Sequence, residues 1–188
     1  MKKEIKSLAG FLVLLAASSA ACAADWSMDA KESKLEFIAS FEKAPAPGIF
    51  KTFDTRMRFD PDKPEGSKLD VSIQITSADM DSSDVNKAIR APEWFDFAGH
   101  PQAEFHSTEI RRAEGGRYVA RGTLSVKGLQ QAVEVPFAWR GSADGATMEG
   151  ELTVKRGAFG IGTGEWAATN TIGADVKIRF KVKLRKAG

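Results

Sequence analysis

The chain has 188 residues and a formal net charge of +2 at pH 7, and 43% of its residues are hydrophobic. This length allows one domain with a sizeable core. Residues 1–24 carry three lysines and one glutamate, so the remainder is balanced at 24 basic and 24 acidic side chains. Such a balance lacks the basic footprint of a nucleic-acid-binding protein.

The first 23 residues have the layout of a secretory signal peptide. Three lysines precede a short apolar run, and small residues follow up to a cleavage site after Ala23 or Ala24. We therefore predict a signal peptide over 1–23, a mature domain over 24–188, and export to an oxidising compartment. An uncleaved membrane anchor and lipidation of Cys22, the only cysteine, are the alternatives.

Most of the mature chain alternates apolar and polar residues, which predicts β-strands because successive side chains point to opposite faces. A first strand is predicted over 35–41, and the prolines and glycine of 44–48 are expected to break it. Extended structure resumes over 49–59, and residues 60–66 form a loop by composition. Another strand follows over 71–75.

The period changes between the strands at 79–97. A polar residue at 81–83 can cap a short helix over 84–90, and Pro92 ends it. An aromatic cluster follows at Trp94, Phe95 and Phe97. This cluster is either a lid or plug at one end of a barrel or ordinary core packing.

The clearest alternation lies between Tyr118 and Trp139. Two long strands flank a short connection that contains Gly128, which predicts an antiparallel hairpin with one apolar face.

Further strands are predicted over 103–110, 146–156 and 176–184, with a glycine-rich loop over 157–173. Roughly eight strands with hairpin connections predict an all-β, antiparallel barrel with one or two short helices. Barrels of this size can hold one small ligand. A two-sheet sandwich is the alternative.

Catalytic and metal-binding signals are weak. The two histidines, His100 and His106, match no strong metal-site spacing and are expected at the surface or in loops. The acidic residues from Asp79 fail as a calcium loop, because its sixth and twelfth positions are Asp84 and Arg90. Three alternating glycines from Gly160 precede no helix pattern, so we interpret them as a turn. We predict no enzyme activity, metal or cofactor.

The aromatic content points instead to the barrel interior. The mature chain contains eleven phenylalanines and four tryptophans, many of them on alternating faces. With one short helix in view, the interior must hold either its own side chains or an apolar guest. Both remain open at this point.

Eight short segments, in order, resemble the signatures of the YceI-like family. They are Gly48-Ile49-Phe50-x-x-Phe53, Phe59-Asp60-Pro61, Pro92-x-Trp94-Phe95-Asp96, Pro101-x-x-x-Phe105-x-Ser107-Thr108, Gly122-Thr123-Leu124-Ser125-Val126-Lys127-Gly128, Val133-x-Val135-Pro136, Arg156-x-x-Phe159-Gly160-Ile161-Gly162 and Ile172-Gly173-x-Asp175-Val176. The resemblance spans about 26–184.

This resemblance implies a lipocalin-like extended barrel in the periplasm that binds a polyisoprenoid chain without catalysis. The implied ligands are isoprenoid quinones such as ubiquinone, or polyprenyl phosphates. A cytochrome b-type membrane protein is an implied partner, and the chain is a monomer or a homodimer. Many members have His-Leu-Arg-Ser before the proline, whereas this chain has Ala88-Ile89-Arg90-Ala91. If that histidine contacts the ligand head group in other members, this chain lacks the contact and its head-group chemistry differs.

The leading hypothesis is a periplasmic carrier that shields an isoprenoid tail from water. Arg156 is the candidate polar contact at the mouth. The candidate wall residues are the large apolar side chains Phe37, Phe41, Phe50, Phe53, Ile75, Trp94, Phe95, Phe105, Tyr118, Leu124, Trp139, Phe159, Trp166 and Phe180. The alternative is a stress-protective or interaction module with a self-filled barrel and no lipid ligand.

Overall fold

The computed structural model describes residues 23–142 and 145–187, so Cys22 and all but the last residue of the predicted signal peptide lie outside it. Within these ranges the chain folds into one antiparallel sheet and one short α-helix, α1 (Ser83–Ala88). The strands are β1 (Ala24–Met28), β2 (Lys34–Phe41), β3 (Ala44–Phe50), β4 (Phe53–Phe59), β5 (Lys68–Gln74), β6 (Ala78–Asp79), β7 (Gln102–Arg112), β8 (Tyr118–Val126), β9 (Leu129–Gly141), β10 (Ala146–Lys155) and β11 (Asp175–Lys186).

The sheet closes on itself. The hydrogen-bonded order is β1-β4-β5-β7-β8-β9-β10-β11, and β11 pairs back with β1, which makes a ring of eight strands. The other half of β11 pairs with β2, from which β3 and β6 extend the sheet. The predicted antiparallel barrel is confirmed, and the sandwich alternative is wrong because a sandwich would leave two separate sheets.

Because neighbouring strands run in opposite directions, their connections gather at two ends of the barrel. We call one the packed end; it carries the connections 60–67 and 113–117 and the adjoining ends of β9 and β10. We call the other the mouth end; it carries the turn 42–43, the connection 75–101 with α1, the turn 127–128 and the connection 156–174.

Aromatic rings fill the interior at the packed end. The Phe59 ring centroid lies 5.0 Å from that of Tyr118 and 4.8 Å from that of Trp139. Trp139 in turn meets Trp26 edge-on at 5.1 Å. Phe59 and Phe137 are at most 1% exposed. This half of the barrel is packed solid with the protein's own side chains.

The predicted break over 44–48 is wrong, because these residues belong to β3. The chain reverses instead at Glu42 and Lys43, whose φ angles of 49° and 68° suit a two-residue hairpin turn. The prolines are tolerated because this part of β3 pairs only with β2, and β6 reaches just Ile49 and Phe50. A proline costs no ladder hydrogen bond where its nitrogen faces an open edge.

The predicted hairpin and helix are both confirmed. Strands β8 and β9 pair from Tyr118 with Phe137 to Val126 with Leu129, around a two-residue turn. Ser82 caps α1, and its hydroxyl accepts a hydrogen bond from the backbone N–H of Val85 at 3.4 Å. No helix in the described ranges is long and apolar enough to cross a membrane.

Candidate functional site: an apolar cavity at the mouth end

The half of the barrel nearer the mouth end encloses a cavity of about 800 Å³. Its wall is formed by inward side chains of nine strands, β2–β5 and β7–β11, together with α1 and the two long connections of the mouth end. The wall is almost entirely apolar; the polar side chains in it are Ser40, Thr55, Asp81 and Arg156. The volume falls within the range of roughly 300–1,000 Å³ typical of small-molecule sites.

The period-two pattern of the strands builds this wall. On β5, Leu69, Val71 and Ile73 line the cavity, whereas the intervening polar residues lie on the other face of the sheet. Leu69, nearer the packed end, is 1% exposed, but Val71 and Ile73 are only half-buried because they face the cavity. The interior is thus self-filled at one end and open at the other. The self-filled alternative describes the packed end, and an apolar guest in the open half stays a prediction.

Thirteen of the fifteen predicted site residues line the cavity. They are Phe37, Phe41, Phe50, Phe53, Ile75, Trp94, Phe95, Phe105, Leu124, Arg156, Phe159, Trp166 and Phe180. Tyr118 and Trp139 lie instead among the rings of the packed end. Alternation assigned these two to the inward face, but it does not fix how far along the barrel axis the cavity reaches. Ligand contact at the thirteen stays a prediction.

The selection of aromatic residues missed much of the aliphatic wall. Val133 on β9 and Val135 next to it on the same face both line the cavity. So do Leu152 and Val154 on β10 and Val176 and Ile178 on β11. The same period-two signal that marked the aromatic positions would have found these residues.

Arg156 organises the connection 156–174 from inside. It is 4% exposed, and its guanidinium has no carboxylate partner among the residues that the structure describes. Burial lowers its pKa. The guanidinium donates instead to six backbone carbonyls at 2.8–3.2 Å, those of Ile161, Gly162, Trp166, Ala168, Ile172 and Gly173.

These contacts use all the N–H groups of the guanidinium. The polar contact to a ligand that was predicted for Arg156 stays a prediction, and it would have to share a donor that already bonds to the backbone. Within the chain, the residue fixes the shape of a loop that supplies Phe159, Ile161 and Trp166 to the cavity wall.

Lys127 ties the β8–β9 turn to both long connections. Its Nζ donates to the carbonyls of Pro92 at 2.8 Å and Gly160 at 2.6 Å, and burial lowers its pKa. The two connections also bond directly, since the Glu93 carbonyl accepts from the N–H of Gly162 at 2.7 Å. Hydrogen bonds therefore hold the turn 127–128 and the connections 75–101 and 156–174 together at the mouth end.

The aromatic cluster after α1 belongs to the cavity wall and to the core at once. Phe95 lines the cavity and meets Phe37 edge-on, with ring centroids 5.9 Å apart. Trp94 also lines the cavity, and its ring lies 5.6 Å from that of Trp166 in the other connection. Phe97 packs against the core, and its ring stacks on that of Phe95 with centroids 6.4 Å apart. The cluster thus closes part of the mouth end.

One buried polar atom of the wall has no hydrogen-bond partner among the described residues. Thr55, on β4 between Phe53 and Met57, is 1% exposed, and its Oγ1 makes no hydrogen bond. It lies where the cavity gives way to the packed end. A buried hydroxyl without a partner costs stability.

The histidines lie away from the cavity. The His106 side chain is 58% exposed on the outer face of β7, with Nδ1 2.7 Å from Oδ1 of Asp70 and Nε2 3.3 Å from Oε2 of Glu104. These two carboxylates raise its pKa. His100 lies near Asp96 at the mouth end. No group of three or more metal-ligating side chains occurs among the residues that the structure describes.

A closed antiparallel barrel with an apolar cavity at one end is a lipocalin-like binding barrel. The family model for the YceI-like domain matches residues 26–184. The chain therefore belongs to the YceI-like family.

Relatives by sequence cover most of the chain. The UPF0312 protein of Pectobacterium atrosepticum is 31% identical over 173 residues, which covers 87% of this chain and 88% of that one. The YceI protein of Escherichia coli O157:H7 is 29% identical over 167 residues, which covers 82% and 86%.

Solved structures share the fold. BcnA of Burkholderia cenocepacia superposes with a TM-score of 0.80 at 33% identity, over 83% of this chain and 98% of that one. A polyisoprenoid binding domain from Saccharophagus degradans superposes with a TM-score of 0.68 over 88% and 99%. At 16% identity, the second likeness is one of fold alone.

Proposed function

We propose that this protein is a periplasmic carrier whose cavity holds the apolar tail of an isoprenoid lipid. The observation that carries the proposal is the cavity of about 800 Å³ with a wall made almost entirely of carbon. Each buried CH₂ group contributes about 0.8 kcal/mol, so a long tail binds tightly with few polar contacts. The polyisoprenoid-binding function of the Saccharophagus degradans domain, which has this fold, also supports it.

The charges around the cavity favour a neutral head group. Of the described residues that line it, only Arg156 is cationic, and its donors are engaged by backbone carbonyls. Asp81, at the wall's outer edge, would repel an anion. A buried phosphate without a cationic partner is strongly disfavoured. An isoprenoid quinone therefore fits better than a polyprenyl phosphate.

The residue at the position where many family members have histidine also favours a neutral head group. Here Ala88 occupies it, and both Ala88 and Ile89 line the cavity. A methyl group at this point offers a head group no hydrogen bond. Recognition in this chain therefore depends on the tail. We expect neutral ligands with the same tail and different head groups to bind with similar affinity.

The proposal involves no catalysis, in keeping with the binding-type barrel of the family. Export rests on the signal-peptide pattern of residues 1–23. The cytochrome b-type partner and the choice between monomer and homodimer stay predictions from the family resemblance.

The first test is direct extraction. The protein is purified from the periplasm of its own source without detergent and examined by native mass spectrometry, with organic extraction of whatever is bound. A co-purified prenyl lipid is expected. Tryptophan fluorescence is then titrated with ubiquinone, because Trp94 and Trp166 line the cavity. A preparation that is free of lipid and insensitive to ubiquinone would favour the interaction module.

A pair of adjacent substitutions on β9 tests the location of binding. Val133→Trp adds a large side chain to the cavity wall, whereas Ala132→Trp adds the same group on the exposed outer face. We expect Val133→Trp to weaken ubiquinone binding by about fourfold to fifteenfold, since the tail loses the space for one or two buried CH₂ groups. Ala132→Trp should bind as the wild type does. Equal binding by both variants would place the ligand outside the barrel.

A further inference from the structure

The exposed large hydrophobic side chains lie at one end of the barrel. Within the described ranges they are Phe41, Val85, Leu129 and Trp166, with exposed fractions of 50%, 38%, 47% and 36%. Each flanks or lies within a different connection of the mouth end. The described connections of the packed end contribute none. Apolar patches confined to one region of a surface mark sites of interaction.

These four residues, which we call the rim, surround the cavity opening. Phe41, Val85 and Trp166 also line the cavity, so each has one side toward the interior and another toward solvent. Phe41 pairs with Ile172 in the connection that carries Trp166. Leu129 does not line the cavity but lies beside that connection, since a Cβ on Gly160 would be 3.6 Å from its Cδ1.

We propose that the rim docks on the surface of a lipid bilayer, so that the mouth of the cavity opens directly onto the acyl region. This inference rests on the proposed function, because a carrier must take its lipid from a membrane. The rim and the opening coincide, and a tail that crossed a water gap between bilayer and cavity would expose every CH₂ group on the way. Docking by the rim removes that gap.

The size of the rim argues against a second copy of the chain as its occupant. Even if Val85 and Leu129 are given the roughly 150–250 Å² of an aromatic side chain, four side chains that are 36–50% exposed offer only on the order of 300 Å². A stable protein–protein interface needs about 800 Å² from each partner. A few apolar side chains inserted at the headgroup boundary need no such area.

The charges of the mouth end indicate which bilayer it prefers. Exposed side chains of both signs surround the rim: the cations are Lys43, Lys87 and Arg90, and the anions are Glu42, Asp81, Asp84, Glu93 and Glu165. Such a mixture lacks the basic cluster that recruits a protein to anionic lipid. Docking should therefore occur on zwitterionic bilayers and depend little on salt.

Leu129 allows the rim to be tested apart from the cavity, because it lies outside the cavity wall. Leu129→Asp removes an apolar rim side chain and adds a charge; Gln130→Asp adds the same charge one residue further on and removes no rim side chain. Each variant is floated with phosphatidylcholine vesicles, and with vesicles that also contain phosphatidylglycerol. We expect Leu129→Asp to lower partitioning onto phosphatidylcholine about fivefold, and Gln130→Asp to change it less than twofold.

Two further measurements separate this proposal from the proposed function. Ubiquinone binding in vesicle-free solution should be the same for Leu129→Asp and wild type; binding without any vesicle association by the wild type would overturn the docking proposal alone. Equal partitioning of both variants would overturn it as well. Sedimentation velocity completes the test: a wild-type dimer that Leu129→Asp converts to a monomer would assign the rim to a second copy. A monomer in both cases supports the bilayer.

Discussion

The ring of Phe37 on β2 lies directly over Gly48 on β3, where the two residues face each other across the strand pair. A Cβ on Gly48 would lie 2.3 Å from Cζ of Phe37, far closer than two carbon atoms can approach. Phe37 is 4% exposed, and its ring also contacts Phe50 at a centroid distance of 4.9 Å. The bare backbone at Gly48 is therefore what allows an aromatic ring to lie flat in this part of the cavity wall.

Substitution Gly48→Ala should lower the free energy of unfolding by about 1–3 kcal/mol, because the ring must leave its place in a well-packed wall. Urea denaturation followed by circular dichroism measures the change. The double variant Gly48→Ala with Phe37→Leu removes the ring that collides with the new methyl group. In a double-mutant cycle the two changes should couple favourably. Simple additivity would show that Phe37 and Gly48 do not depend on each other.

The second prediction concerns the buried guanidinium of Arg156 and the stability of its loop. Lysine has three donors on one nitrogen and cannot reach six carbonyls spread over the connection 156–174. Arg156→Lys should therefore leave several buried carbonyls without partners and lower the free energy of unfolding by about 3 kcal/mol. Hydrogen exchange should speed up at the amides of Ile161 and Gly162, which now bond to carbonyls within and beside this loop.

The neighbouring residue supplies the control for this prediction. Lys155 makes an exposed ion pair with Asp175 at 2.6 Å, with both side chains more than 60% exposed. Lys155→Ala should change the stability by less than about 1 kcal/mol, because solvent screens such pairs. If Arg156→Lys behaved like Lys155→Ala, with amide exchange unchanged, the six carbonyl contacts would not hold the loop.

The strands and the direction of their side chains follow from the sequence because both depend on a local rule, the alternation of faces. On β8, the alternate residues from Tyr118 to Val126 could be assigned to the inward face from the sequence alone. The turn at Lys127 and Gly128 was close to predictable for the same reason, since glycine accepts the positive φ that the turn needs. The prediction of a strand break at 44–48 was wrong because the effect of a proline on a strand depends on whether another strand pairs with its nitrogen side.

The alternation of apolar and polar residues does not predict how far the cavity extends along the barrel axis. Tyr118 and Leu124 lie on the same face of β8, yet one lies among packed rings and the other lines the cavity. The difference arises from which side chains the closed sheet brings opposite each of them, and that depends on long-range register. The role of Arg156 inside its own loop was not predicted for a related reason, since its partners are backbone carbonyls that leave no mark in the sequence.

The carboxylates beside His106 predict a pH dependence. Asp70 and then Glu104 raise the pKa of the imidazole in the folded protein. Its contribution to stability is therefore fully present below the unfolded value of about 6.5, and it is lost as the pH rises through the higher folded value. The side chain is 58% exposed, so the contribution should be about 0.5 kcal/mol or less.

Titration of the His106 ring by NMR measures this directly. In wild type the midpoint should lie above 6.5, and Asp70→Asn should lower it because the closest carboxylate is removed. The free energy of unfolding of the wild type, compared with that of His106→Gln, should fall between acidic and mildly alkaline pH. A midpoint that Asp70→Asn leaves in place would contradict the pairing.

The unpaired hydroxyl of Thr55 predicts a stabilising substitution. Valine has the same shape as threonine but no oxygen to desolvate, so Thr55→Val should raise the free energy of unfolding by about 1 kcal/mol. Thr153→Val, on an exposed position of β10, serves as the control for the higher strand propensity of valine. The gain at position 55 should exceed the gain at position 153 in urea denaturation. Equal gains, or a loss at position 55, would mean that the Thr55 hydroxyl is satisfied in solution.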